Sequence, residues 1–422
     1  MPTYFAEGSP QTTIDSRELK EIIESVFSGL GQRQKVMLLP PDFTRFPSRA
    51  GEITCLLHDY YGSAVTDVMP ALGTHFAMPE WQLDRMFPTL PRELIRVHDW
   101  RNDVVTIGEV PGEVVSELTA GIWRKPWKAQ LNKLIWSKQH DLVVSIGQVV
   151  PHEVIGMANY NKNVFVGTGG VDGINESHFI SAAYGMEKVM GKADNPLRSI
   201  LNYAQDHFCK DLPLLYVLTV IGENDQRENV IRGVYIGDDH DCFYQAAELS
   251  RQVNVRILDE QPDRVVAWLD PEEFHSTWIG NKSVYRTRML IRDGGELTVL
   301  ARGVKTFGED PEIDQLIRKY GYRTTPEILS YVDQQEDLRQ NLSAAAHLIH
   351  GSSENRFTIT YATENISRAE IESVGYQHID YDEAIRRYDP QTLQDGWNED
   401  QDGRFYFVRH PALGLWAHRS SI

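Results

Sequence analysis

The stretch DLVVSIGQVVPHEVIGMANYNKNVFVGTGGVDGINESHF, Asp141 to Phe179, decides how the chain is read. Its first seven residues form an almost uninterrupted apolar run ending in glycine, the pattern of a strand buried on both faces. NVFVG (Asn163–Gly167) repeats that pattern, and INESHFISAAYGMEKVM (Ile174–Met190) has helical spacing. Strand, loop, strand, glycine turn and helix make a βα unit, which predicts an α/β fold.

The same alternation extends outward. KVMLLP (Lys35–Pro40), AVTDVMPALG (Ala64–Gly73) and LPLLYVLTVIG (Leu212–Gly222) read as further buried strands. SRELKEIIESVFSGL (Ser16–Leu30) and PEWQLDRMF (Pro79–Phe87) read as helices between them. A second series follows residue 260: RVVAWLD, a long helix from about Pro271 to Ile291, the strand GELTVLA (Glu296–Ala301) and a helix over DPEIDQLIRKYGY. It closes with a mixed segment from RFTITYAT to RFYFVRHP. At 422 residues the chain exceeds one ordinary core. The polar run DEQPDRV (Asp259–Val265) marks the division into an N-terminal domain, 1–260, and a C-terminal domain, 265–422. The expectation is two α/β domains with mainly parallel sheets.

Composition narrows the partners. Against 42 Lys and Arg stand 60 Asp and Glu, a net charge of −18 that repels polyanions and argues against nucleic acid. An anionic ligand must therefore be held by a few local cations. Cys55, Cys209 and Cys242 are too scattered for a disulfide framework or a zinc site, which favours a reducing cytoplasm. No basic start precedes an apolar run and no apolar window reaches about 18 residues, so neither a signal peptide nor a membrane span is expected.

In open parallel sheets ligands bind beyond the carboxyl ends of the strands. The residues following the predicted strands are PPDFTRFP with Asp42 and Arg45, GTHFAMPE with His75, and the loop with His152. Asp42 can orient a hydroxyl or an arginine, and the Arg45 fork suits a carboxylate or phosphate; an Asx turn beside a surface arginine is the bland alternative. His75 is either a general base or a capping residue ahead of the helix that begins at Pro79. His152, Lys162 and His178 offer a base, an amine and a metal ligand within 27 residues. Gly169 and Gly170 resemble an anion-binding turn at a helix start, although neither the P-loop nor the dinucleotide glycine spacing is present. Lys282, Arg286 and Arg288 share a helical spacing that reads as a carboxylate site or as a solvated face. HExxH, paired cysteines and a GxSxG elbow are all absent.

Taken in order, PDFTR (Pro41–Arg45), GTH (Gly73–His75), and His152 followed by a lysine at +10 and a histidine at +26 resemble the nickel-pincer nucleotide-dependent lactate racemase family. NKSVYRTRM (Asn281–Met289) and GGELTVLARGVKTFGED (Gly294–Asp310) resemble its C-terminal half, so the likeness covers most of the chain.

The resemblance implies an isomerase whose N-terminal domain, 1–260, binds a pyridinium-3-thioamide-5-thiocarboxylate mononucleotide with nickel and whose active site lies in the cleft between the two domains. Lys162 would be its covalent anchor and His178 the nickel ligand, with Asp42, Arg45, Gly169 and Gly170 around the cofactor. His75 and His152 would be the acid/base pair, and Arg45 and Lys282 would meet the substrate. The implied reaction inverts the 2-hydroxyl carbon of a small 2-hydroxy acid by reversible hydride transfer, and cofactor biosynthesis proteins are implied partners. MANYN (Met157–Asn161) replaces a Gly-rich run expected in lactate-specific members. The NKSVYRTRM and GGELTVLARGV type of C-terminal half resembles members proposed to act on sugar acids, and Asn159 and Tyr160, with Asn161, would suit the several hydroxyls of such a substrate, which favours an aldonate 2-epimerase of the gluconate/mannonate type. A racemase of lactate or malate, a polyol or hydroxyacid oxidoreductase using the same cofactor, and a non-catalytic cofactor-binding protein are the alternatives.

Overall fold

The computed structural model describes residues 3–224, 226 and 228–422. The chain forms two compact units, one of Met1–Ser177 and Met190–Asn254, the other of His178–Val189 and Val255–Ile422. Both are α/β with mainly parallel sheets.

In the first unit β1 (Thr3–Gly8), β2 (Val36–Leu39) and β3 (Val65–Val68) come first. An outlying antiparallel pair, β4 (Val104–Val110) and β5 (Trp127–Asn132), precedes β6 (Leu142–Gln148). A two-residue pair, β7 (Pro151–His152) and β8 (Gly156–Met157), leads on to β9 (Leu214–Glu223) and β10 (Asn229–Gly237). The main sheet runs β1-β10-β9-β6-β2-β3, parallel from β9 to β3 and antiparallel at β10 and β1. Register aligns Leu39 with Ser145, and Gln148 with Thr219. The carboxyl ends of the parallel strands therefore open on one edge.

Every residue of β2 is buried, as its apolar run requires. The helix Ser16–Leu30 begins at a capping box in which Asp15 accepts from the Glu18 N–H at 2.8 Å and Glu18 accepts from the Asp15 N–H at 3.0 Å. Leu19, Ile23 and Phe27, four apart, turn one face of this helix into the core against Val36, Ile53 and Leu57.

The second unit contains β11 (Val255–Leu258), β12 (Arg264–Trp268), β13 (Glu296–Leu300), β14 (Thr358–Ala362), β15 (Gln377–Ile379), β16 (Gly396–Asp400), β17 (Gly403–Val408) and β18 (Leu415–His418). Six of them form a sheet in the order β15-β14-β13-β12-β17-β16, antiparallel only between β16 and β17. β11 and β18 pair separately. The sequence boundary at 260–265 leaves 178–189 with the N-terminal part, whereas these residues belong to the second unit. Arg288 and Arg356 both bind the Glu187 carboxylate, at 3.0 and 2.7 Å.

Three segments depart from the sequence reading. NVFVG is a π-helix, Asn163–Gly167, closed by the Thr168 N–H donating to the Asn163 carbonyl at 3.1 Å. β-branched composition suggested a strand, but the Asn163 side chain is held by bonds across the main sheet, so tertiary contacts override propensity. The helix expected over 271–291 is two short pieces, Thr277–Gly280 and Lys282–Tyr285. The helix through His178 begins at Val171 and stops at Tyr184, because Gly185 adopts φ +111° before the short helix Met186–Val189. Among the described residues no helix is long and apolar enough to cross a membrane.

Candidate active site

Beyond β2 the chain turns at Asp42 into a short 3-10 helix, Phe43–Ser48, interrupted at Arg45. Asp42 occupies the N-cap position, yet its carboxylate makes no capping bond. It accepts instead from the Thr44 hydroxyl at 2.5 Å and meets His75 Nδ1 at 2.6 Å. His75 arrives from the turn after β3, where its N–H bonds the Leu72 carbonyl. Burial by itself would raise the Asp42 pKa, but the His75 hydrogen bond and charge, the Thr44 hydroxyl and Arg45 together hold it below the ordinary carboxylate value. Asp42 stays ionised and buried while the His75 side chain is 58% exposed. Such a pair orients the ring and leaves Nε2 facing outward. The Asx-turn alternative therefore does not describe Asp42.

Beyond β6 the chain forms the β7–β8 pair, then two consecutive left-handed residues, Asn159 (φ +64°) and Tyr160 (φ +59°), and reaches Lys162 at the start of the π-helix. Asn163 fastens this helix to the strand ends: its amide donates to the Leu39 carbonyl and the Ser145 hydroxyl, both at 3.0 Å. Lys162 is thereby held beside Asp42 and Arg45, whose charges act on its amine. Burial first, then Arg45, pulls that amine down to about 8 against the partial opposition of Glu153 and Asp42. The side chain keeps some contact with solvent. Among the described residues neither the Lys162 amine nor the Arg45 guanidinium has a hydrogen bond or ion pair. Two adjacent unpaired cations, in a chain with a net charge of −18, make a local site for an anion.

Asn159 and Tyr160 do not offer hydroxyl-binding groups, because their polar atoms are committed inside the first unit. The Asn159 side chain accepts from the Tyr160 N–H at 2.6 Å and donates to the Ile146 carbonyl at 3.4 Å. Its amide packs where a Cβ on Gly147 would stand, which is why position 147 needs glycine. Tyr160 is fully buried, receiving a bond from Gln205 at 2.9 Å and meeting His240 at 3.1 Å. Both serve to hold the strained turn before Lys162. Arg198, unforeseen in the sequence, does the same: fully buried, it donates to the Met157 carbonyl at 2.6 Å, the Asn159 carbonyl at 3.4 Å and the Asn161 side chain. Burial lowers it to about 10, leaving it charged at neutral pH.

Gly169 and Gly170 are explained by packing. A Cβ on Gly169 would collide with the Phe165 carbonyl, and one on Gly170 with the Gln130 side chain. The buried His98 latches this turn: Nε2 bonds the Gly169 carbonyl at 2.9 Å and Nδ1 meets the Asn132 amide at 3.0 Å. Burial lowers the His98 pKa, and the two bonds together suit a neutral ring. The glycines therefore allow close approach to β5, a purpose that needs no bound phosphate.

His152 is buried, and its Nδ1 accepts the Val154 N–H at 3.1 Å. His178 lies half-buried on the helix Val171–Tyr184, in the part assigned to the second unit. Lys282 is also in the second unit, with its ammonium 5.9 Å from the Phe274 ring. Arg286 and Arg288 are buried, which rules out a solvated face. The first unit thus brings together Asp42, Arg45, His75 and Lys162, with Glu153 linking the His152 loop to the lysine. Among the described residues no three of His, Cys, Asp or Glu converge to hold a metal.

No protein-family model matches the sequence, and no curated protein does either. Solved structures do match. A Thermotoga maritima protein is 23% identical with a TM-score of 0.80, over 98% of this chain and 100% of its own. The lactate racemase apoprotein of Thermoanaerobacterium thermosaccharolyticum is 15% identical with a TM-score of 0.71, over 98% of this chain and 94% of its own. At these identities the likeness is one of fold, and the fold is lactate racemase-like.

Proposed function

We propose that the chain is a racemase or epimerase of a 2-hydroxy acid. The observation that carries this reading is the pair of unpaired cations, Arg45 and Lys162, beside the Asp42–His75 dyad at the ends of parallel strands. Arg45 binds the substrate carboxylate with its planar fork. His75, backed by Asp42, moves the hydroxyl proton, and His152 is the second group acting on the same oxygen. The likeness in fold to a lactate racemase apoprotein supports the assignment.

Lys162 and Arg45 of the first unit fit a nickel-pincer nucleotide. An unpaired amine lowered to about 8 suits covalent attachment, the cation beside it suits an anionic group, and the His178 imidazole suits nickel. When bound, such a group supplies a reversible hydride acceptor. Lys162 would hold it in place, and Asp42 and Arg45 would orient what lies next to it.

The choice of aldonate rests on NKSVYRTRM and GGELTVLARGV alone, since Asn159 and Tyr160 are occupied elsewhere. Aldonates are the first substrates to try, followed by lactate and malate. The three free cysteines suit a reducing cytoplasm. The test is intact mass and nickel content of protein produced together with cofactor biosynthesis proteins. A cofactor-sized adduct absent from Lys162→Ala is expected, and an unmodified lysine in fully active protein would sink the reading. A panel of 2-deuterated hydroxy acids then separates isomerisation from net oxidation.

A further inference from the structure

We infer that Trp81 is a positioning residue for the Asp42–His75 dyad: by packing on Phe43 it fixes the 3-10 helix that follows Asp42 and contains Arg45 against the turn that carries His75. The inference deepens the reading above and rests on it only for the effect on turnover.

The 3-10 helix Phe43–Ser48 has little means of holding its own orientation. Helices of this type have poor hydrogen-bond geometry, and this one is interrupted at Arg45 (φ −111°) and contains Pro47. Asp42, at the N-cap, gives no capping bond, because its carboxylate is committed to Thr44 and His75. Support has to come from outside. Phe43 and Phe46, three apart, share one side of the helix, with their ring centroids 5.1 Å apart.

The helix Glu80–Met86 covers that side. Its inner residues Leu83 and Met86 are buried in the core of the first unit, and its outer residues Trp81 and Arg85, one turn apart, reach the two phenylalanines. The Trp81 ring meets the Phe43 ring edge-on, with 5.1 Å between centroids and 72° between planes. The Arg85 guanidinium lies 4.9 Å from the Phe46 centroid and 5.9 Å from that of Phe43. Asp42 and Phe43 are neighbours in the chain, and a short segment joins His75 to Trp81, so the 2.6 Å hydrogen bond and the ring contact close one loop. Loss of the ring contact loosens that loop, and a shift of about 1 Å carries the hydrogen bond out of reach.

Exposure separates positioning from stability. Trp81 is 57% exposed, so its contact buries little apolar area, whereas Leu83 and Met86 beneath it carry the packing of the helix. Removing the indole therefore disturbs orientation more than it costs stability.

NMR of the full chain, free of cofactor and labelled at histidine, reads the dyad without turnover. His75→Gln assigns the His75 ring signals, and Asp42→Asn gives their pattern when the dyad is broken. Trp81→Ala should move these signals toward the Asp42→Asn pattern, Trp81→Phe should restore them, and both proteins should unfold thermally close to the parent. In isomerisation, Trp81→Ala should lower kcat/KM by about three- to tenfold. Because it acts through Asp42, it should lower kcat/KM no further in an Asp42→Asn background. Unchanged His75 signals in Trp81→Ala, or an undiminished effect in the Asp42→Asn background, overturns the inference. So does a Trp81→Ala protein destabilised as much as Leu83→Ala. Absence of isomerisation in the deuterated panel defeats the proposed function instead, and the His75 signals are read independently of it.

Discussion

Lys162 offers the most quantitative test, because its amine should differ from an ordinary lysine in two measurable ways. With the amine at about 8 instead of 10.5, half of it is unprotonated at pH 8, against roughly 0.3% for an ordinary lysine. A small acylating reagent should therefore modify Lys162 about two orders of magnitude faster than exposed lysines at that pH, with a midpoint near 8 by peptide mass spectrometry. Stability should respond with a defined sign. The unfolded chain binds the lysine proton more readily than the folded one, so the folded protein is penalised below about pH 8 and relieved as pH rises from 8 to 10.5. The full shift would be worth about 3.4 kcal/mol, and partial exposure of the side chain reduces this to about 1–2 kcal/mol. Lys162→Met should therefore stabilise the cofactor-free protein by about 1–2 kcal/mol at neutral pH, an advantage that fades above pH 8. A modification midpoint near 10.5, or a Lys162→Met protein no more stable than its parent, would refute the reasoning.

The other predictions concern single contacts. Asp42→Asn should lower kcat/KM for isomerisation by about 10²–10⁴-fold while leaving thermal unfolding close to the parent's, since it removes the group that orients His75. Gly170→Ala should cost about 1–3 kcal/mol in denaturant unfolding, because the added methyl strikes the Gln130 side chain. Phe27→Ala should cost about 3–5 kcal/mol by leaving a cavity under the first helix, and an unchanged urea midpoint would contradict its place in the core. Asp15→Ala should cost about 1 kcal/mol through loss of the capping box.

Much of this was legible in the chain because it is local. Leu19, Ile23 and Phe27 recur every four residues behind an Asp15–Glu18 box, so their helix follows from short-range spacing and capping. VMLL and LVVSIG are short, wholly or nearly apolar runs that read as buried strands, and strands of that kind in alternation with helices make parallel sheets. The placement of Asp42, Arg45 and His75 after strands follows from the same reading. Long-range contacts decided the rest. NVFVG has the composition of a strand, yet becomes a π-helix because Asn163 finds the Leu39 carbonyl and the Ser145 hydroxyl across the sheet. Asn159 and Tyr160 look like ligand-binding polar residues until Ile146, Gln205 and His240 claim their atoms. Arg198 has no local signature, since what defines it is the set of carbonyls it meets some forty residues back. Sequence determined which residues could do chemistry; only the tertiary structure decided which polar atoms were already spent, because a hydrogen bond between distant residues leaves no periodicity in the chain.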